Sequence, residues 1–253
     1  MFNPLDLSGK LILVTGASSG IGRATAITLS RLGASVILSG RREEELRVTL
    51  EMADKASRIY IDPFDLSDTD AIPSWMNRLC MKYDSSLQGI VHAAGFGVTF
   101  PIRASNRKKI DEVMSVNVYA SIGLLHGISM KAIGGENGCS VVFISSVAGF
   151  AGAAGKTVYC GSKAALHIIA KSAAIELALK RIRVNCIAPG WVDTPMLQKA
   201  LCELPEGVKD LQNRQVLGLI PPEEVGIAAA YLISDAARHI TGTTLVLDGG
   251  YTC

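Results

Sequence analysis

The sequence predicts an α/β fold, a doubly wound parallel sheet of about seven strands with helices on both faces. Segments patterned like strands and like helices alternate along the chain without a break, and that order implies parallel strands joined by helical crossovers. The first strand runs directly into a glycine-rich turn and then a helix, the opening of a dinucleotide-binding unit. At 253 residues with an apolar share of 49%, the chain reads as a single domain over 1–253, with enough core to cover both faces of a sheet.

Residues 10–15, KLILVT, are a short apolar run of the kind that becomes a buried parallel strand. The turn Gly16-Ala17-Ser18-Ser19-Gly20-Ile21-Gly22 and a helical stretch over 23–32 follow. In that context Gly16 permits the tight turn, Gly20 lets backbone approach a pyrophosphate, and Gly22 allows close helix–strand packing. Free N–H groups at the helix start then face the phosphate charge. The spacing is G-x-x-x-G-x-G rather than the commoner G-x-G-x-x-G.

The second strand, 34–39, ends in Gly40-Arg41-Arg42. A carboxylate near this point binds the ribose 2′-hydroxyl of NAD, whereas an arginine accommodates a 2′-phosphate. Gly40 stands where an acid would be, and two guanidinium groups follow, so the cofactor reads as NADP(H), with NAD(H) possible. A charge-assisted hydrogen bond of this type contributes about 1.5–3 kcal/mol, which favours NADPH roughly ten- to a hundredfold. A solvated position at the start of the next helix suits Arg42 more easily than Arg41.

That helix is expected over 43–54, followed by a strand at 58–61, a helix across 68–83 and a strand at 88–93. A long helix over 105–133, a strand at 140–145, a second long helix over 157–179 and a strand at 183–188 come next. A late helix at 222–234 and a last strand at 244–247 complete the series. The least regular piece, 194–221, follows the sixth strand, where an open α/β sheet borders its ligand crevice.

Tyr159 and Lys163 lie four residues apart within the second long helix, so their side chains share a face. An ammonium held against a phenol favours the phenolate and lowers the tyrosine pKa from its reference near 10. Such a tyrosine exchanges a proton with a substrate oxygen. A solvated Tyr–Lys pair is the bland alternative, and the surrounding motifs decide against it.

Taken in order, these motifs resemble the short-chain dehydrogenase/reductase family in its compact, single-domain Rossmann form, and the resemblance runs from Leu7 to Tyr251. Asp65-Leu66 sits where the family contacts adenine, and Val91-His92-Ala93-Ala94-Gly95 is similar to its Asn-Ala-Ala-Gly strand end. Val116-Asn117-Val118 resembles the segment carrying its helix asparagine, and Ile144-Ser145-Ser146 its catalytic serine strand. The family's usual serine-to-tyrosine interval of thirteen selects Ser146, leaving Ser145 to support the strand end. Ala188-Pro189-Gly190-Trp191-Val192-Asp193-Thr194 resembles the loop beside the nicotinamide carboxamide, and Ile240-Thr241-Gly242 and Asp248-Gly249-Gly250 suit the branch of 3-oxoacyl-thioester reductases and hydroxysteroid dehydrogenases.

The resemblance implies an NADP(H)-dependent oxidoreductase acting between nicotinamide and a ketone or secondary alcohol, of small or medium apolar type. Asn117, Ser146, Tyr159 and Lys163 are the implied catalytic set. Gly16, Ser18, Ser19, Gly20, Ile21, Gly22, Arg41, Arg42, Asp65, Leu66, Ala93, Ala94 and Gly95 are the implied cofactor contacts, with Tyr159, Lys163, Pro189, Gly190, Val192 and Thr194. Reduction of a 3-oxoacyl thioester on acyl carrier protein or CoA is the alternative, and a non-catalytic NADP-binding regulator a third reading. The family also implies a homotetramer packed through the two long helices, and a mobile substrate lid at about 194–221.

Three departures stand out. His92 replaces a sheet-centre asparagine, although imidazole still offers one donor and one acceptor. Gly135-Glu136-Asn137-Gly138-Cys139 lacks the basic residues that carrier-protein reductases place before the serine strand, which weakens the case for an acyl-carrier-protein partner. Leu217-Gly218-Leu219 stands where many relatives have Leu-Gly-Arg.

The net charge of +2 argues against a nucleic-acid or acidic-membrane surface, and no basic run exceeds Arg107-Lys108-Lys109. The six cysteines form no C-x-x-C pair and no Cys/His cluster with metal spacing. No signal peptide or membrane-spanning stretch is evident, so a reducing cytoplasm with free thiols is expected. His126, His167 and His239 lack a motif and are expected to be structural or exposed.

Overall fold

The computed structural model describes residues 3–203 and 214–253. Seven strands form one sheet: β1 (Leu11–Thr15), β2 (Ser35–Ser39), β3 (Ile59–Ile61), β4 (Gly89–His92), β5 (Cys139–Ile144), β6 (Ile182–Pro189) and β7 (Thr244–Leu247). They run in the order β3-β2-β1-β4-β5-β6-β7, and every pair is parallel. The chain winds outward from β1 to β3, then crosses back to lay β4 on the other side of β1. That reversal opens a crevice beyond the carboxyl ends of the two central strands.

Side chains alternate across the sheet because successive Cβ atoms point to opposite faces. Leu11 and Leu13 enter one core with Ile90, Val141 and Phe143. Ile12 and Val14 enter the other with Val91, Val142 and Ile144. The first core is covered by α3 (Ile72–Tyr83), α5 (Ala120–Ser129) and α7 (Thr157–Glu176). On the second lie α1 (Gly20–Arg31), α2 (Glu43–Met52) and α9 (Pro222–Ile233). Buried side chains such as Phe143, Leu13 and Ile37 each contribute about 1.5–3 kcal/mol, and they hold the strand ends that frame the crevice in fixed positions. Trp75 of α3 stacks on Phe64 at 4.2 Å and donates through Nε1 to Asp62 at 2.9 Å, which pins the chain leaving β3.

Two helical regions differ from expectation. The predicted helix over 105–133 is composite: α4 (Arg107–Met114), a wider π turn at Ser115–Tyr119, then α5, and a short α6 (Lys131–Gly134). Met130, with ψ 131°, leaves the helical region and separates the last two pieces. The stretch read as irregular, 194–221, carries α8 (Pro195–Glu203), and residues 204–213 of the expected lid lie outside the described residues.

Candidate active site

The crevice is built around the turn after β1. Gly16 has φ +69°, and a Cβ there would lie 2.6 Å from the Ala94 nitrogen, so this turn touches the chain leaving β4. A Cβ on Gly22 would collide with the Gly16 carbonyl oxygen, which is why α1 starts so close under the turn. Ser19 occupies the N-cap position of α1 without a capping hydrogen bond from its side chain, and the first turn holds no acidic residue. The helix's leading N–H groups therefore suit an anion, and the residues fit the pyrophosphate of a dinucleotide.

The walls come from five strand ends. Ser18, Ser19, Gly20 and Ile21 form the floor; Gly40, Arg41 and Arg42 follow β2; Phe64, Asp65 and Leu66 follow β3; Ala93, Ala94 and Gly95 follow β4; and Thr194 follows β6. The space among them, about 1070 Å³, is continuous with solvent. An Asx-type turn occupies Asp65. The Ser67 N–H donates to its carboxylate at 3.0 Å, and this bond holds its pKa below the ordinary range, with help from the Ser67 hydroxyl and the Arg41 guanidinium. The structure thus brings fourteen of the expected cofactor residues to one cleft (Gly16, Ser18 to Gly22, Arg41, Arg42, Asp65, Leu66, Ala93 to Gly95 and Thr194).

Tyr159 and Lys163, also expected as cofactor contacts, are not among the cleft's lining residues, and neither are Pro189, Gly190 and Val192. Val192 is buried and pairs with Ile220. Their loop reaches the cleft through its end: a Cβ on Gly20 would lie 3.3 Å from Thr194 Cγ2.

Phe64, Phe96, Val116 and Met196 also line the cleft and escaped the sequence reading, because a single apolar residue in a loop (Phe64, Phe96), in the π turn (Val116) or at the start of α8 (Met196) carries no pattern. Arg23 escaped it too. Its guanidinium donates to the Ser18 carbonyl, to Thr49 Oγ1 at 3.0 Å and to Glu45 Oε2 at 2.9 Å, so it braces the floor of the turn from below.

Tyr159 and Lys163 occupy the first two turns of α7, Ser146 follows the end of β5, and Asn117 lies in the π turn. A π turn inside a helix is a frequent marker of functional sites. Lys163 Nζ lies 5.8 Å from the centre of the Tyr159 ring, as does Lys156 Nζ. A Cβ on Gly95 would fall 2.9 Å from Asn117 Oδ1 and 3.4 Å from Lys163 Nζ, so both side chains reach the wall beside β4. Asn117 accepts from the Phe96 N–H at 3.2 Å and donates to Ser162 Oγ at 3.0 Å.

The two adjacent serines divide their work. Ser146 faces Tyr159, and the bond between their hydroxyls favours the phenolate. The Ser145 hydroxyl instead donates to the Lys163 carbonyl at 2.9 Å and lies 2.8 Å from His167 Nε2. Because that hydroxyl's one proton goes to the carbonyl, His167 is the donor to Ser145. His167 is therefore structural, stacked on Phe150 at 4.3 Å.

The electrostatics differ from the expectation drawn from spacing. Burial pushes the Tyr159 phenol above its ordinary value, and the bond with Ser146 offsets this only in part. Lys163 is itself pushed down to about 8 by burial, and its Nζ donates to the Ile144 carbonyl at 2.8 Å. A deeply buried ammonium loses much of its hydration, and Lys163 does not bring the phenol below 10.

His92 performs the structural adjustment its position required. One ring nitrogen meets Thr15 Oγ1 at 2.8 Å and the other the Val116 carbonyl at 3.2 Å, joining β1, β4 and the π turn. Burial, reinforced by the Lys163 charge, lowers its pKa to about 3, so the ring stays neutral.

Comparison with known proteins agrees with this geometry. A family model described as Enoyl-(Acyl carrier protein) reductase matches residues 16–252. The chain is similar to the 3-oxoacyl-(acyl-carrier-protein) reductase FabG of Thermotoga maritima, with 34% identity over 97% of this chain and 99% of that protein. It is 32% identical to the cis-4-hydroxycyclohexanecarboxylate dehydrogenase of Sinomonas cyclohexanicum, over 96% of each chain. Among solved structures, a 3-oxoacyl (acyl-carrier-protein) reductase from Agrobacterium tumefaciens C58 with NADP bound superposes with a TM-score of 0.88, at 27% identity, over 98% of this chain and 96% of that one. The chain belongs to the short-chain dehydrogenase/reductase family and is an oxidoreductase of the kind that interconverts alcohol and carbonyl groups.

Proposed function

We propose that this protein is an NADP(H)-dependent oxidoreductase that reduces a ketone or oxidises the corresponding secondary alcohol. The observation that carries the reading is the Tyr159 phenol, held above its ordinary pKa by burial and set beside Ser146, near a cleft whose residues suit a dinucleotide. When bound, the nicotinamide cofactor supplies or accepts the hydride.

The chain's own residues handle the proton and the charge. Tyr159, protonated at neutral pH, is the acid that reduction requires, and it donates to the alkoxide oxygen as that oxygen forms. Ser146 hydrogen-bonds the same oxygen, where negative charge develops. The Lys163 ammonium, 5.8 Å from the centre of the Tyr159 ring, would stabilise the phenolate left behind and would bind the nicotinamide ribose. Asn117 holds the water that returns a proton through Lys163. Arg41 and Arg42 take the 2′-phosphate, with no acid at Gly40 to repel it. NAD(H) is the weaker cofactor on this reading.

The names of the relatives support a second reading, reduction of a 3-oxoacyl thioester. The Gly135–Cys139 stretch, without basic residues, speaks for a CoA-like or free substrate over a carrier protein. The proposed enzyme is a single domain working in the cytoplasm. NADPH and NADH oxidation followed at 340 nm across free ketones, a 3-oxoacyl thioester and a 2-enoyl thioester tests the proposal. Turnover of a carbonyl, faster with NADPH, is expected. Reduction of the enoyl substrate alone would overturn it, and NADPH binding with no turnover in either direction would point to a regulatory protein.

A further inference from the structure

Gln215 is an enclosed polar side chain, 2% exposed, at a bend just before the turn at 216–217. Its amide is saturated. Oε1 accepts from the Trp191 N–H at 2.7 Å, and Nε2 donates to the Trp191 carbonyl at 3.0 Å and to the Gly218 carbonyl. The pairing with both backbone groups of one residue imitates a neighbouring strand. The side chain passes between Gly190 and Gly249, which carry no side chains. A Cβ on Gly190 would strike its Oε1, and one on Gly249 would lie 2.8 Å from its Cγ.

Backbone bonds complete the clamp. Ile220 N–H donates to the Trp191 carbonyl at 3.0 Å, Asp193 N–H to Ile220 at 2.9 Å, and Leu217 N–H to Gly249 at 3.1 Å. Three irregular segments (the turn after β6, the chain from 214 to 220, and the turn after β7) are thus joined at one amide. The turn after β6 ends in Thr194, which touches Gly20 in the phosphate turn and lines the cleft.

We infer that Gln215 is a positioning residue that sets the loop 189–194 against the nicotinamide end of the cofactor cleft. The inference rests on the dinucleotide reading given above. Losing the amide leaves the N–H and C=O of Trp191 without their side-chain partner, and buried groups so deprived move to find another. The adenine end, formed by residues after β2 and β3 on the far side of the cleft, makes no contact with Gln215.

The test exploits that division. Gln215→Met preserves volume and removes the hydrogen bonds, while Gln215→Asn keeps an amide that is one methylene short. Dissociation constants for NADPH and for adenosine 2′,5′-bisphosphate, which carries only the adenine half, are measured for the unaltered chain and both variants. Weakening of NADPH by about tenfold or more, with the bisphosphate unchanged within about twofold and the melting temperature held in at least one variant, is the expected result. Equal weakening of both ligands, or unchanged NADPH affinity in a folded variant, would overturn it. So would failure of both variants to fold, which would make Gln215 a residue of the fold alone. If the unaltered chain binds the bisphosphate and not NADPH, the cofactor reading falls together with this inference.

Discussion

Lys163 shows how burial and function meet at a single side chain. Its ammonium is enclosed, donates to Ile144 and is pushed down to about 8. The charge is therefore present below that pH and lost as pH rises through it. Reductive kcat/KM for NADPH, which reports groups of the free enzyme, should fall above about pH 8. In Lys163→Arg the guanidinium stays charged, and whatever activity survives should no longer fall there. A profile for the unaltered chain that stays flat to about pH 10, the ordinary range of lysine, would remove this ammonium from the mechanism. The sequence made the Tyr159–Lys163 pairing legible through its spacing together with the surrounding motifs. It did not reveal the direction of the phenol's shift, because that depends on how deeply β5 and α7 enclose the pair. Gln215 left no trace in the sequence, since its hydrogen-bond partners are backbone groups of Trp191 and Gly218, which no side-chain pattern marks.

Among the elements, strands were the easiest to read. Short β-branched and aliphatic runs buried on both faces, as in β1 and β5, have one interpretation in an alternating chain, and the expected 244–247 strand coincides with β7 although that edge strand is partly exposed. Helix interiors were harder. The change of hydrogen-bond pattern at Ser115–Tyr119 comes from packing and has no compositional mark, so the predicted helix ran through it unbroken. Likewise α8 follows directly from a proline–glycine loop, and its short amphipathic face was hidden by the irregular stretch beyond. The turn after β2 carries a prediction of its own. Arg41 lies close enough to Asp65 to influence its carboxyl, and both line the adenine end of the cleft. Arg41→Asp should weaken NADPH by about tenfold or more while leaving NADH nearly unchanged or improved. Equal effects on the two cofactors, measured by fluorescence titration, would show that no 2′-phosphate is bound at this turn.

For the whole molecule, the outward face of α7 and the turn after it is the conspicuous surface. Ile168, Ile175 and Leu179 are 65%, 82% and 99% exposed, and with Ser172 they follow helical spacing along one stripe. Tyr119 and Ile122 are exposed on the other long helical region. Apolar side chains set out in this way favour association, in keeping with a homotetramer assembled through these helices. Light scattering should give about four times the chain mass, and Ile175→Glu should shift the population towards smaller species. A stable monomer at working concentration would contradict the assembly. No described helix is long and apolar enough to cross a membrane, and Cys80, Cys139, Cys160, Cys186 and Cys253 are free thiols.

The central claim is that Tyr159 moves the proton while the cleft binds the cofactor, two tasks assigned to different residues. It is tested most directly by measuring NADPH affinity and carbonyl turnover side by side in the unaltered chain and in Tyr159→Phe. The account predicts a dissociation constant within a few-fold of the original and a kcat lower by about a hundredfold or more, the range of a lost general acid. Undiminished kcat in Tyr159→Phe would contradict it.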